Sequence, residues 1–354
     1  MFDQEALNAF AGGYSISTSG VITLAGSPEF SGSRFSVSMP ISLSLKALTK
    51  AGDLVRWKGS NDIEFPYQSS RMSNEWFDPI KLLINIAIQR GWKNPPSILA
   101  QEDLQFHMGL GYYSAFIETL IQCFSLVNGI NLSNAEVMEL SSEVQDRIKG
   151  SHSSVETLTR LSGRDESIFI YDESQHSFRN EPLRLEPYSL LVISENGIEE
   201  NEGYSEFRRN FRRFKEQKML KANPVTLAYP YLSIYNHLSA EEELMGNILD
   251  AIDKDDPYAF VSSISKYSQS LGFNLGVISR FQRAISSLLE KYSVDTYIFA
   301  VDNYSGSVIV FADSGIQEKI SDNIIRDYYN LTNGTINVIR VENKNVTRKE
   351  RILI

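Results

Sequence analysis

The sequence predicts an α+β protein built as two domains. Three observations carry this. At 354 residues the chain exceeds what one hydrophobic core ordinarily organises. Strict period-two alternation marks its first fifty residues, whereas helical periodicity dominates the middle. Its final stretch reads strand, turn, strand, helix, strand, which is not the alternating series of a doubly wound sheet. Pro182 and Pro187, with a charge cluster between them, mark a boundary that divides the chain into residues 1–185 and 186–354.

Taken in order, residues 3–10 suit a short helix that Gly12 and Gly13 end. Ile16, Val21, Ile22 and Leu24 among serines and threonines predict strands between Tyr14 and Ala25, joined at Ser19-Gly20. Phe35, Val37, Met39, Ile41, Leu43 and Leu45 alternate with polar residues, predicting a long strand with one wet face. A strand pair follows over Asp53–Phe65. Phe77–Arg90 is apolar enough for a largely buried helix, ended by Gly91 and Pro95-Pro96. A further helix runs from the Gly109 region. Asn131–Lys149 carries Ser133 and Glu136 at capping-box spacing, and Ser151–Leu161 predicts one more helix. Strands follow at Ser167–Asp172 and at Tyr188–Ser194, the latter apolar on both faces.

In the second half, Tyr204–Lys221 places Phe207, Phe211 and Phe214 on one helical face, with Arg208, Arg209, Arg212, Arg213, Lys215 and Lys218 around them. Such a run is ordinarily a solvated face over an aromatic stripe, and the Arg208–Arg213 helix is also where a phosphate or an acidic protein partner would be gripped. Helices are expected at Ala240–Asp253, Pro257–Leu271, Val277–Tyr292 and Gly315–Tyr329, and strands at Thr296–Val301, Ser307–Ala312 and Thr335–Val341.

Composition narrows the function classes. A net charge of −10 and a pI near 5.1 oppose a general nucleic-acid or anionic-membrane surface. No segment reaches the ~18 apolar residues of a spanning helix, and the acidic start does not read as a signal peptide, so the expected location is cytoplasmic. Cys123, the single cysteine, falls on the apolar face of its helix and reads as packing. His107, His152, His176 and His237 lack ligand-like spacing, so no metal site is assigned. Trp57, Trp76 and Trp92 read as packing.

The stretch with chemical content is Gly109-Leu110-Gly111-Tyr112-Tyr113-Ser114-Ala115, two glycines leading into an apolar helix. Backbone N–H groups and a helix N-terminus converge in such a loop and can cradle an anion. Tyr112 and Tyr113 stand where small hydroxyls would be expected and would block that volume.

Several stretches, in the same order, resemble the GHMP kinase superfamily, and galactokinases most. They are Ser19-Gly20-Val21-Ile22-Thr23-Leu24-Ala25-Gly26, Met39-Pro40-Ile41, Gly109–Ala115, Gly150–Glu156 with Gly163, Tyr204–Arg209, Asp302–Phe311 and Tyr328–Val341. The resemblance implies a two-domain GHMP-kinase-like fold with a ligand cleft between the domains. It implies nucleotide-loop positions at Gly109, Gly111, Ser114 and Gly306, a catalytic carboxylate at Glu156, and cleft positions at Asp302 and Tyr204. The family's cation falls at Val21, its Glu and His at Ser27 and Pro28, and its hydroxyls at Tyr112 and Tyr113. Losing one electrostatic or metal-positioning element costs ~10²–10³ in rate.

The expected function is therefore a galactokinase-like protein that binds a small molecule with lost or weakened ATP-dependent phosphoryl transfer, serving in binding, regulation or scaffolding. The alternatives are an active sugar- or mevalonate-type kinase with an atypical nucleotide site, which alone would require ATP and Mg²⁺, and an ATP-independent decarboxylase-like enzyme using Glu156 or Asp302. For Glu156 the plain reading is a helix N-terminal carboxylate.

Overall fold

The computed structural model describes residues 2–26, 33–58, 63–66, 77–149, 154–197, 199–301, 304–313 and 317–352. The chain opens with α1 (Gln4–Ala9), capped by Asp3, whose carboxylate accepts from Ala6 N–H. It continues through β1 (Tyr14–Ala25), β2 (Phe35–Ala51), β3 (Leu54–Lys58), β4 (Ile63–Pro66), α2 (Phe77–Gln89) and β5 (Pro96–Glu102). Next come α3 (Tyr112–Val127), α4 (Asn134–Lys149), α5 (Ser154–Ser162), β6 (Ser167–Asp172), β7 (Ser177–Pro182) and β8 (Tyr188–Glu195). The remainder is α6 (Glu202–Glu216), α7 (Tyr231–Asp253), α8 (Pro257–Gln269), α9 (Arg280–Lys291), β9 (Tyr297–Ala300), β10 (Ser307–Asp313), α10 (Gln317–Thr332), β11 (Ile336–Val341) and β12 (Arg348–Arg351).

Among the described residues the strands form two sheets. The first runs β12-β1-β2-β5-β3-β4, with β6 paired to the start of β2 and β7 to β6; the second runs β11-β8-β10-β9. The C-terminal end of the chain thus returns to the sheet in which its N-terminal end lies. Every residue of β12 is exposed and charged, as suits an edge strand that must not recruit another chain.

Two expectations are corrected. The segment Tyr14–Ala25 is one strand rather than two, because a register shift at Ser19/Gly20 absorbs the break that the glycine suggested. The expected wet face of β2 is largely dry: Ser36, Ser38 and Ser44 are buried, while Ser42 and Lys46 stay half-exposed. Ser38 Oγ lies 2.6 Å from Thr159 Oγ1 of α5, and Thr18 of β1 pairs in the same way with Thr119 of α3 at 2.8 Å. Small hydroxyls that satisfy one another let the helices lie directly on the sheet.

The central strands of the second sheet, β8 and β10, are buried on both faces, as the apolar run Tyr188–Ser194 predicts for the first of them. Leu190, Val192, Ile298, Ile309 and Phe311 join the main core, which β1, β2, α3, α7 and α8 also line. Alternate residues Leu191, Ile193, Phe299, Val308 and Val310 pack under α9 and α10. The aromatic stripe of α6 behaves as read: Phe207, Phe211 and Phe214 are buried against Ile234, Leu275 and Val277.

Cys123 is buried in the main core, and burial pushes its thiol pKa up to about 12. Its thiolate fraction at neutral pH is therefore negligible. A thiol reagent such as Ellman's should titrate no cysteine in the native protein at pH 8 and one after unfolding in guanidinium; fast native labelling would contradict this placement.

Candidate functional site

A 3₁₀ turn over Phe106–Met108 leads to Gly109, and Gly111 caps α3; their φ angles are +66° and +69°. Side chains rarely adopt this region, which is why both positions are glycine. Gly111 has a second reason. A Cβ there would lie 3.1 Å from Arg160 Nη1 and 3.2 Å from the carboxyl carbon of Glu156.

Those two neighbours are one helical turn apart on α5, and they face Ser114 and Glu118, one turn apart on α3. Each pair shares a helix face because residues four apart are neighbours. Glu156 Oε2 accepts from Ser114 Oγ at 2.5 Å. Arg160 donates through Nε and Nη2 to Glu118 Oε1 at 2.9 and 2.6 Å, and through Nη1 to the Gly111 carbonyl at 3.3 Å. Both members of the Arg160–Glu118 pair are buried, at 0% and 3% side-chain exposure. Burial pushes the Glu118 carboxyl above its ordinary pKa, and the guanidinium offsets part of that.

The loop is also tied to the sheet, since Val21 N–H donates to Leu110 O at 3.0 Å. Val21 is buried, so the position where the resemblance expects a cation carries an apolar side chain. Arg160 is the cation that touches the loop, and it is committed to Glu118. The sequence reading missed it. The signal was present in α3, where Glu118 is the single charged residue of an otherwise uncharged helix.

Tyr112 is committed to the core. Its hydroxyl donates to Glu102 of β5, which also accepts from Trp57 Nε1 at 2.5 Å. Its ring stacks on Phe116 at 6.3 Å and meets Phe106 edge-on at 5.6 Å. Burial, first, and the Glu102 charge, second, raise its phenol pKa well above the ordinary value. The ring thus turns into the core rather than over the loop, and Tyr112 does not block the volume it was expected to fill. Tyr113 keeps a half-buried ring, 6.5 Å from Phe116.

The remaining expected positions are spread more widely. Gly306 lies in the turn before β10 with φ +69°, where a Cβ would meet Gln282 Nε2 at 2.7 Å. That amide bridges the carbonyls of Ala300 and Ser307, both at 2.9 Å. The turn nevertheless approaches the glycine loop, because Tyr304 packs on Phe106 at 4.4 Å between ring centres. Tyr204 lies in the aromatic cluster of α6 and is buried, so its ring is packing rather than an open cleft wall. Asp302, Ser27, Pro28, His152 and Trp76 lie outside the described residues. Among the described residues no group of three or more His, Cys, Asp or Glu side chains is placed to hold a metal ion, and no helix is long and apolar enough to cross a membrane.

No known sequence family matches the chain, and neither does any curated protein. Solved structures do. The galactokinase of Lactococcus lactis, complexed with galactose, superposes with a TM-score of 0.78 at 13% identity, covering 98% of each chain. The mevalonate kinase of L. major, in complex with R-mevalonate, gives 0.68 at 12% identity over 96% of this chain and 98% of that one. A homoserine kinase from Cytophaga hutchinsonii gives 0.61 at 10% identity over 99% of both. The chain therefore has the GHMP kinase fold, with the α+β class expected from its element order.

Proposed function

We propose that this chain uses a GHMP kinase fold to bind a small, neutral, hydroxyl-bearing molecule, and that ATP-dependent phosphoryl transfer is lost or weak. The observation that carries the reading is the state of the glycine loop. Its Gly111 carbonyl takes donors from Ser114 and Arg160, and the Glu156 carboxylate lies against it. Among the described residues the loop is met by the Glu156 and Glu118 carboxylates and by the Arg160 guanidinium, which is committed to Glu118. A phosphate placed against the Glu156 carboxylate meets like charge. Val21 supplies no counter-charge. A neutral polyol meets no such opposition, and Glu156 is an acceptor for its hydroxyls. The galactose complex of the Lactococcus galactokinase, on the same fold, supports this choice of ligand class.

One observation favours a second reading, an active kinase with an atypical nucleotide pose. Glu156 bonded to Ser114 keeps a carboxylate and a small hydroxyl together, the oxygen donors that Mg²⁺ takes. Calorimetry separates the two. With ATP and Mg²⁺ at ~1 mM no binding heat is expected, whereas a neutral polyol ligand such as galactose raises stability by about 2.7 kcal/mol at one hundred times its dissociation constant. Mg²⁺-dependent ATP binding in the micromolar range, with phosphoryl transfer abolished by Glu156→Gln, would establish the kinase instead.

A further inference from the structure

The basic helix has no part in the site just described. Between Arg208 and Lys221 stand seven basic side chains and one acidic one, a net +6 in a chain of net −10, so the other 340 residues carry −16. Charges on a solvated helix usually find acids three or four residues away. Here, among the described residues, Arg209, Arg212, Arg213, Lys218 and Lys221 are exposed and have no carboxylate within ion-pair distance.

Beside this face lies a cavity of about 120 Å³ between α6 and the start of α7, with Phe207, Ile234 and Leu275 among its lining residues and Tyr229 at its rim. Glu206 and Asn210 of α6 also line it. Arg209 and Arg213 stand three residues beyond each, on the same side of the helix. Exposed apolar side chains continue the surface: Leu220 is 53% exposed, Val225 89% and Tyr229 78%.

We propose that this face docks a short acidic segment of another protein, with its carboxylates on Arg209 and Arg213 and one apolar side chain in the cavity. Charge complementarity selects an anionic partner, and the cavity selects one that carries an apolar anchor. Extent selects a short segment. The helical part of the patch, nine residues from Arg208 to Glu216, is about 13 Å long. Before it, ahead of the cavity-lining Gly203 and Glu206, come Glu199, Glu200 and Glu202. A nucleic-acid duplex or an anionic bilayer would run past the patch into those glutamates, within the ~8 Å reach of charge at physiological salt. A short segment stops short of them.

The probe is a fluorescein-labelled peptide of four Glu-Glu-Phe repeats, followed by anisotropy with the full chain at about 0.05 and 0.15 M salt. Saturable binding that weakens several-fold at the higher salt is expected. Arg209→Glu/Arg213→Glu should weaken it at least tenfold, and Ser233→Trp, which fills the cavity mouth, should also weaken it, while Lys349→Glu/Arg351→Glu on the opposite end of the chain leaves it unchanged. Melting temperatures of the charge variants should match the parent, because the replaced side chains are exposed. Binding indifferent to Arg209→Glu/Arg213→Glu would overturn the proposal. So would tighter, Arg209- and Arg213-dependent binding of duplex RNA or phosphatidylserine vesicles, or a dimer in sedimentation that the same double variant dissociates.

Discussion

Replacing Arg160 with Met should destabilise the protein by about 3–5 kcal/mol, the cost of leaving a buried charge without its partner. Arg160 is fully buried, two of its nitrogens serve Glu118, and a third holds the Gly111 carbonyl. The double variant Arg160→Met/Glu118→Met should recover most of the loss, since an apolar pair of similar volume is often neutral relative to a buried ion pair. Denaturant titration of the parent, the single and the double variant measures both numbers.

The pH dependence has a definite sign. Burial already raises the Glu118 carboxyl, and removing the guanidinium raises it further. In the Arg160→Met protein the folded state then holds a proton that the unfolded chain releases above its ordinary pKa of ~4.3. Stability therefore falls as pH rises through the window between that value and the folded one. The deficit of Arg160→Met should accordingly be smaller at pH 5 than at pH 8. A deficit under about 1 kcal/mol at both would mean that the pair contributes little to holding the glycine loop.

Phe211→Ala should cost roughly 3–5 kcal/mol, as expected when a fully enclosed aromatic ring is deleted. The ring is 3% exposed, stacks on Phe207 at 5.4 Å, and is covered by Lys215 Nζ at 4.6 Å on its outer side. Its neighbour Arg212 is exposed, and Arg212→Ala should change stability by no more than about 0.5 kcal/mol. Urea titration of the two variants would expose a reversed assignment at once, because the order of the effects would invert.

The glycine loop shows how far the sequence reading carried. That two glycines form a loop leading into a helix was legible from residue type and apolar spacing. The resemblance to GHMP kinases, made from scattered short motifs, is borne out by the fold. What lies against the loop was not legible. Arg160 and Glu118 are 42 residues apart in the chain, and an ion pair at that separation exists only once α3 and α5 share the first sheet. Tyr112 illustrates the same limit. Its hydroxyl partner, Glu102, ends a strand that Pro95-Pro96 disguised as a helix terminator.

By itself the sequence determined the α+β class, the buried stripe of α6, the capping box at Ser133 and Glu136, and the apolar second sheet. Each of these depends on interactions between residues near in sequence, or on a period that burial imposes locally. Only the tertiary structure decided that Ser36, Ser38 and Ser44 of β2 are buried, that the charged stretch Arg348–Arg351 is an edge strand on β1, and that a guanidinium and two carboxylates share the volume beside Gly111. Those outcomes depend on which elements meet. A serine, an arginine or a glutamate reads as a solvent residue until another helix supplies the hydroxyl or the counter-charge that lets it be buried.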